Sequence, residues 1–450
     1  MLGSKRAVCV FSPTTPKAAS QSESDGALAT EVEATIARGR ARAVLNLRAI
    51  MAFFAVGCAV LTLAQPATPV QREDLLAPPA PVAFGRPEPR LTTEYWTRTR
   101  IQYDSPRPSG QLLNDVVVAD FTLPTDRLGK VPVVILLHYW GATDHRVEMT
   151  MADQLARRGI ASLSLTLPYH MERAPAGTRS GELAVPADPE ALRQVMAQSV
   201  ADIRRACDWI AIRPELDSTR IGLGGTSLGA IVASLTFAVE PRIHSVSLML
   251  GGADLAGIYW NSSRTVVLRN RLRGEGWSED RLREYLKDIE PLNYLQADDP
   301  RPSFVVRARF DTVVPPFATD RLLAAIPNAK VLTLETGHYG GGLVYDRLMS
   351  TFARFFESTF GGNAFQPPSN FFSPTLRMGV LAAGDEPANF FVGLDLWRTG
   401  SKGEAFASLM GTPQGVRGFI GARVGSDIGL GLVLIPGKEP TWGAIWNIVF

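Results

Sequence analysis

The stretch that decides the fold runs from Ile221-Gly222-Leu223 through Gly225-Thr226-Ser227-Leu228-Gly229 into the small-residue segment that begins at Ala230. It fits G-x-S-x-G, and its context matters more than the pattern. A short apolar strand leads in and a helix of small residues, 230–238, leads out. A serine between such elements sits on a strained turn with its oxygen exposed, and the two glycines let strand and helix approach without a Cβ clash. The helix N-terminus also favours developing negative charge at that oxygen. The plainer alternative is a tight turn in which Ser227 only caps the helix.

Outward from this point the chain alternates strand-like and helix-like segments, the pattern of a mostly parallel sheet covered by helices on both faces, an α/β fold. Residues 115–123 and 131–137 read as strands, the second so uniformly apolar that both its faces must be covered. Helices are expected at 146–158 and 189–212, and strands at 160–165, 245–250, 302–308 and 330–334. A charged helical insertion at 261–295 interrupts the alternation and is expected to cap a pocket. The closing helix covers 345–356.

A serine hydroxyl is a poor nucleophile unless an imidazole takes its proton and a carboxylate fixes that imidazole. Of the five histidines, only His244 and His338 follow Ser227. His244 enters an apolar strand. His338 lies in a glycine-flanked loop, Gly337-His338-Tyr339-Gly340, just beyond the last strand, where a base is needed. Asp311, before Val314-Pro315 and after the strand at 302–308, is the favoured acid; Asp254 is the runner-up, and an N-cap role is the bland account of Asp311. Two N–H groups must meet the developing oxyanion. Leu228 supplies one, and the loop His138-Tyr139-Trp140-Gly141 the other, with Tyr139 the first choice and Trp140 the second.

These residues together resemble the α/β-hydrolase superfamily, in particular its bacterial esterases and dienelactone-hydrolase-like members, over residues 95–360. The resemblance implies acyl transfer to water through an acyl-enzyme, with Ser227, His338 and Asp311 as the triad and a small-molecule ester as substrate. Two departures stand out. Tyr139 occupies the place where many relatives carry glycine, and position 227 is serine where dienelactone hydrolases proper use cysteine. Tyr169, His170 and Arg173, which follow a core strand at its carboxyl end, and Trp260 beside the cap are candidate substrate contacts; an ion-paired surface loop is the competing account.

Composition sets the remaining limits. The chain has 450 residues, 46% of them hydrophobic, and a formal charge of +2, so it can bury a full core but has no field to hold nucleic acid. Three cysteines without paired spacing offer neither a disulfide framework nor a zinc site, and no cofactor or metal is expected. Arg38, Arg40, Arg42 and Arg48 precede an apolar run at 50–63, followed by small residues, Gln65 and a proline-rich stretch. That is the shape of a signal peptide; an uncleaved anchor is the alternative, and Met51 an alternative start. Cys58 as a lipid site is disfavoured because the run continues past it. The expected organisation is a tail and signal peptide or anchor at 1–64, a linker at 65–94, the hydrolase domain at 95–364 and a β-rich domain at 365–450, in a periplasmic, secreted or membrane-anchored protein. The last strand alternates Trp442, Ala444, Trp446, Ile448 and Phe450, which invites a membrane reading. The ~85 residues after 365 hold fewer than the roughly eight strands of a membrane barrel, so a small antiparallel domain for packing or association is preferred. Competing functions are a serine peptidase-like hydrolase and a non-catalytic envelope protein built on the scaffold.

Overall fold

The structure, a computed structural model, describes residues 70–369, 371, 375–399, 405–425 and 427–449. The apolar run at 50–63, Cys58 and Phe450 lie outside them. A nine-stranded sheet comprises β1 (Glu88–Thr92), β2 (Trp96–Asp104), β3 (Val116–Pro124), β4 (Val131–Leu137), β5 (Ala161–Leu165), β6 (Leu216–Thr226), β7 (Ile243–Met249), β8 (Ser303–Ala308) and β9 (Lys330–Leu334). Its spatial order is β1-β2-β3-β5-β4-β6-β7-β8-β9. From β5 to β9 all pairings are parallel, and β1 to β3 add an antiparallel edge.

Both faces are covered, which is why β4 is apolar and buried along its whole length. On one face lie α3 (Pro189–Ala211) and α4 (Leu228–Val239), preceded in the chain by the short α1 (Arg72–Leu76) and by α2 (Arg146–Ala156). Leu192, Met196, Val200 and Ile203 of α3 enter one core with Ile135 of β4 and Leu223 of β6. Asp188 caps α3 by accepting from the N–H of Glu190, and Pro189 occupies its first turn, where a missing N–H costs nothing. On the other face Phe352, Phe355 and Phe356 of the closing helix meet Leu136, Phe304 and Met151. The cap consists of α5 (Leu255–Asn261), α6 (Val266–Gly274) and α7 (Glu279–Leu286); it begins six residues before the position at which charge patterning starts. α8 (Pro316–Ala325) packs into the first of these cores through Ala318 and Leu322, and the closing helix of the other face is α9 (Tyr345–Phe360). The antiparallel edge was not foreseen, because β1 and β2 are exposed or interrupted by arginines and lack an apolar run.

Beyond Thr375 the chain forms a second architecture: β10 (Leu376–Ala383), β11 (Glu386–Thr399), β12 (Ala405–Thr412), β13 (Gly415–Arg423), β14 (Ile428–Leu434) and β15 (Thr441–Val449). They run as an antiparallel meander, and β15 pairs back onto β10, so the sheet closes into a six-stranded barrel. The expected antiparallel β domain is present, but it is closed. Glycine on facing strands lets the small circle form: a Cβ on Gly421 or Gly431 would strike the backbone of the partner strand. The interior is filled by Phe391, Phe406, Met410, Phe419, Val433 and Ile445.

Candidate active site

Strand β6 delivers its last residue, Thr226, to the carboxyl edge of the sheet, and α4 leaves at once from Leu228. The chain can reverse this sharply only because residues 225 and 229 lack side chains: a Cβ at Gly225 would overlap the carbonyl of Gly229, and one at Gly229 the carbonyls of Leu137 and His138. Between them Ser227 is held at φ +55°, a conformation worth on the order of 1–3 kcal/mol of strain for a non-glycine residue. Its N–H donates to Met249 O at 2.8 Å, which ties the turn to β7. Leu228 is the first residue of α4, so its own N–H has no partner within the helix.

Three side chains separated by up to 111 residues meet at this edge. Ser227 Oγ lies 2.9 Å from His338 Nε2, and His338 Nδ1 lies 2.7 Å from Asp311 Oδ2. The other oxygen of Asp311 accepts 2.8 Å hydrogen bonds from the N–H groups of Val313 and Val314. The carboxylate is therefore oriented by backbone, and it orients the imidazole. All three side chains are buried, yet Ser227 faces a cavity. Asp254, the alternative acid, caps α5 through Gly257 and pairs with Arg283 and Arg321, so it serves the cap. His244 stands against Phe360 on β7, away from Ser227.

The cavity beside Ser227 has a volume of about 80 Å³ and is lined almost wholly by apolar groups, among them Leu192, Met196, Ile231, Leu255 and Val314. Trp140 and Leu228 belong to its wall; Tyr139 does not, and its side chain is one-third exposed. The loop that carries them is fixed from beneath. His138 Nδ1 meets Tyr139 O at 2.9 Å, its Nε2 accepts from the N–H of Leu167 at 3.0 Å, and His170 Nε2 accepts from the N–H of Gly141 at 3.0 Å. Burial holds both imidazoles neutral, pushing His170 down to about 4 and His138 well below its ordinary value. Neutrality is what lets each ring nitrogen accept.

Of the four expected substrate contacts, Arg173, His170 and Trp260 need correction, and Tyr169 is fixed through its backbone. Arg173 is fully buried, paired with Asp202 at 2.8 Å and donating to the carbonyls of Asn114 and Thr166. His170 is spent on Gly141 and Pro168. Tyr169, at φ +63°, is pinned by Asn114 and Gly181. Trp260 stacks with Arg273 instead of facing the cavity. The cavity walls come from α3, α4, the start of the cap and the loop after Asp311, and apolar side chains on those elements cannot be told from core by sequence.

The barrel reaches the loop that carries His338. Thr375 and Arg398 both donate to the carbonyl of Glu335, three residues before His338, and the Arg398 guanidinium lies 3.8 Å from the Phe310 ring centre. Gly337 abuts the carbonyl of Val449 on β15.

Sheet order, elbow and the positions of residues 227, 311 and 338 define an α/β-hydrolase fold. No protein-family model matches the chain, and no curated protein does. Among solved structures, the acetyl xylan esterase from Paenibacillus sp. R4 is similar at 17% identity and a TM-score of 0.50, covering 64% of this chain and 91% of its own. Acetyl xylan esterase 1 from Thermoanaerobacterium sp. JW/SL YS485 is similar at 14% identity and a TM-score of 0.51, covering 63% and 91%.

Proposed function

We propose that the protein hydrolyses carboxylic esters of short acyl groups, with Ser227 as nucleophile, His338 as base and Asp311 as the residue that holds the base. The observation that carries this reading is the unbroken hydrogen-bond chain Asp311–His338–Ser227 opening on an apolar cavity. Ser227 Oγ attacks the carbonyl carbon while His338 Nε2 takes its proton; the Nδ1–H bond to Asp311 fixes the tautomer and stabilises the imidazolium. The oxyanion is met by the N–H of Leu228 and by a second N–H from the loop at 139–140, with Trp140 the better placed because it borders the cavity. The alcohol leaves with the proton from His338, and water, deprotonated by the same nitrogen, releases the acid from the acyl-enzyme.

The small dry cavity suits an acyl group of a few carbons and gives nothing for a charged one to pair with. That size is consistent with the two similar structures being acetyl xylan esterases. Export through the segment at 38–64 is part of the same proposal. Purified full-length protein should hydrolyse p-nitrophenyl acetate faster than longer p-nitrophenyl esters and be labelled by a fluorophosphonate. Ser227→Ala should abolish both. Hydrolysis that survives this change would reject the assignment, and an intact N-terminus on protein recovered from the cell envelope would reject cleavage after export.

A further inference from the structure

The barrel has an inverted surface. Along its strands the outward positions carry Leu376, Met378 and Val380 on β10, Phe390, Val392, Leu394 and Leu396 on β11, Leu409 on β12, and Val416 and Ile420 on β13. β14 contributes Ile428, Leu430, Leu432 and Leu434, and β15 Trp442 and Trp446. Among the described residues, no outward position in the strands is charged. The exposure is large: 73% for Trp442 and 66% for Leu396. The charged side chains point inward or sit at the ends. Arg377 pairs with Asp395 at 2.6 Å inside the rim that meets the hydrolase domain, and Glu386 pairs with Lys438 at 2.8 Å and Arg417 at 3.4 Å at the opposite rim. A soluble barrel places these groups the other way round.

We propose that this wall faces lipid: the six strands, two fewer than the roughly eight of the smallest outer-membrane barrels, cross a bilayer with their outward side chains among acyl chains, and the hydrolase domain is held at one rim. Three features select lipid over a protein partner. The apolar surface runs round every strand of a closed barrel, so one partner, or one second copy, would leave most of it in water, whereas a bilayer surrounds it. Closure also leaves no open edge strand, so the wall's strands pair on both sides apart from bulges and strand ends, as a hydrocarbon environment demands of a sheet. Polar rims bound the apolar belt at both ends. The belt extends six residue steps on β14 and seven on β11, from Phe390 to the exposed Trp397, which at ~3.4 Å per residue and a tilt near 40° makes it roughly 15–18 Å tall. Outer-membrane barrels carry an apolar band of ~25 Å, and that membrane is thinner than most. Among the described residues no helix is long and apolar enough to cross a membrane, so the barrel would be their spanning element. Because side chains fill the interior, the barrel anchors and does not conduct.

The test uses the full chain and vesicles of phosphatidylethanolamine and phosphatidylglycerol. Wild type should float with the vesicles and withstand an alkaline carbonate wash. Val392→Arg and Leu432→Arg place a charge at mid-belt on strands three apart, on opposite sides of the barrel. Each alone should lower membrane retention by roughly 30-fold or more, the cost of a cation near the bilayer centre. Wild type that stays monomeric in detergent-free buffer without floating would overturn the proposal. So would a discrete soluble oligomer disrupted by only one of the two changes, which would assign the wall to copies of the chain. A readout that needs no charged variant is quenching of tryptophan fluorescence by brominated lipid. It should be strong in wild type and greatly reduced in the combined variant Trp397→Phe, Trp442→Phe, Trp446→Phe; equal quenching in the two would equally refute lipid contact. Neither readout depends on esterase activity, so failure here leaves the catalytic assignment standing.

Discussion

Gly337→Ala tests whether the barrel sets the position of His338, the proposed base. Residue 337 has no conformational need for glycine, since its φ is not in the left-handed region, so the change acts through space alone. A methyl group there would fall well inside contact distance of the Val449 carbonyl oxygen, and relieving the overlap requires a separation of about 1 Å between loop and strand. Val449 is paired to Arg377 of β10 within the closed barrel, while the loop at 335–340 follows a sheet-edge strand. The loop therefore gives way, and the first side chain it moves is His338, whose Nε2 sits 2.9 Å from Ser227 Oγ. A displacement of that size at a reacting group costs about 100-fold in rate. The expected result is a kcat for p-nitrophenyl acetate lowered about 100-fold, KM within a few-fold of wild type, and an unchanged melting temperature for the hydrolase domain. A kcat within twofold of wild type would refute the coupling.

Asp311→Asn keeps the shape of the acid but favours the wrong imidazole tautomer, and kcat should fall by roughly 10⁴-fold with folding intact, as steady-state kinetics and circular dichroism would show. Arg173→Met leaves Asp202 charged and unpaired in a fully buried site, so unfolding free energy by urea titration should drop by about 3–5 kcal/mol while kcat per folded molecule is retained; a large kcat loss would restore a substrate role. Stability should fall as pH drops below about 6.5: His170, held down to about 4 by burial, takes its proton first in the unfolded chain, which destabilises the fold by about 1.4 kcal/mol per pH unit until pH reaches the folded value. Urea midpoints at pH 7 and pH 5 should differ accordingly, and His170→Gln should shrink the difference.

The parts of the site that were legible in sequence are those imposed by local geometry. Gly225 and Gly229 announce an elbow because no other residue fits, and His338 stands out because few histidines exist and only one follows the last strand. Residues whose roles depend on distant partners were not legible. Tyr169-His170-Met171-Glu172-Arg173 has the composition of a surface loop; Asn114, Asp202 and Gly141, remote in sequence, draw it inside. Leu192 and Met196 obey a helical period whether they face core or substrate. The alternation of the C-terminal strands was visible, but closure by β15 onto β10 is a long-range pairing that no local signal encodes.

That pairing has a consequence for the order of events during synthesis. Strand β15 is the last described element to leave the ribosome, yet it seals both open edges of the barrel and supplies the carbonyl that Gly337 leans on. Until it arrives, the nascent chain holds a finished nucleophile turn beside an unbraced histidine loop. His338, the proposed base, is thereby braced only once β15 has closed the barrel.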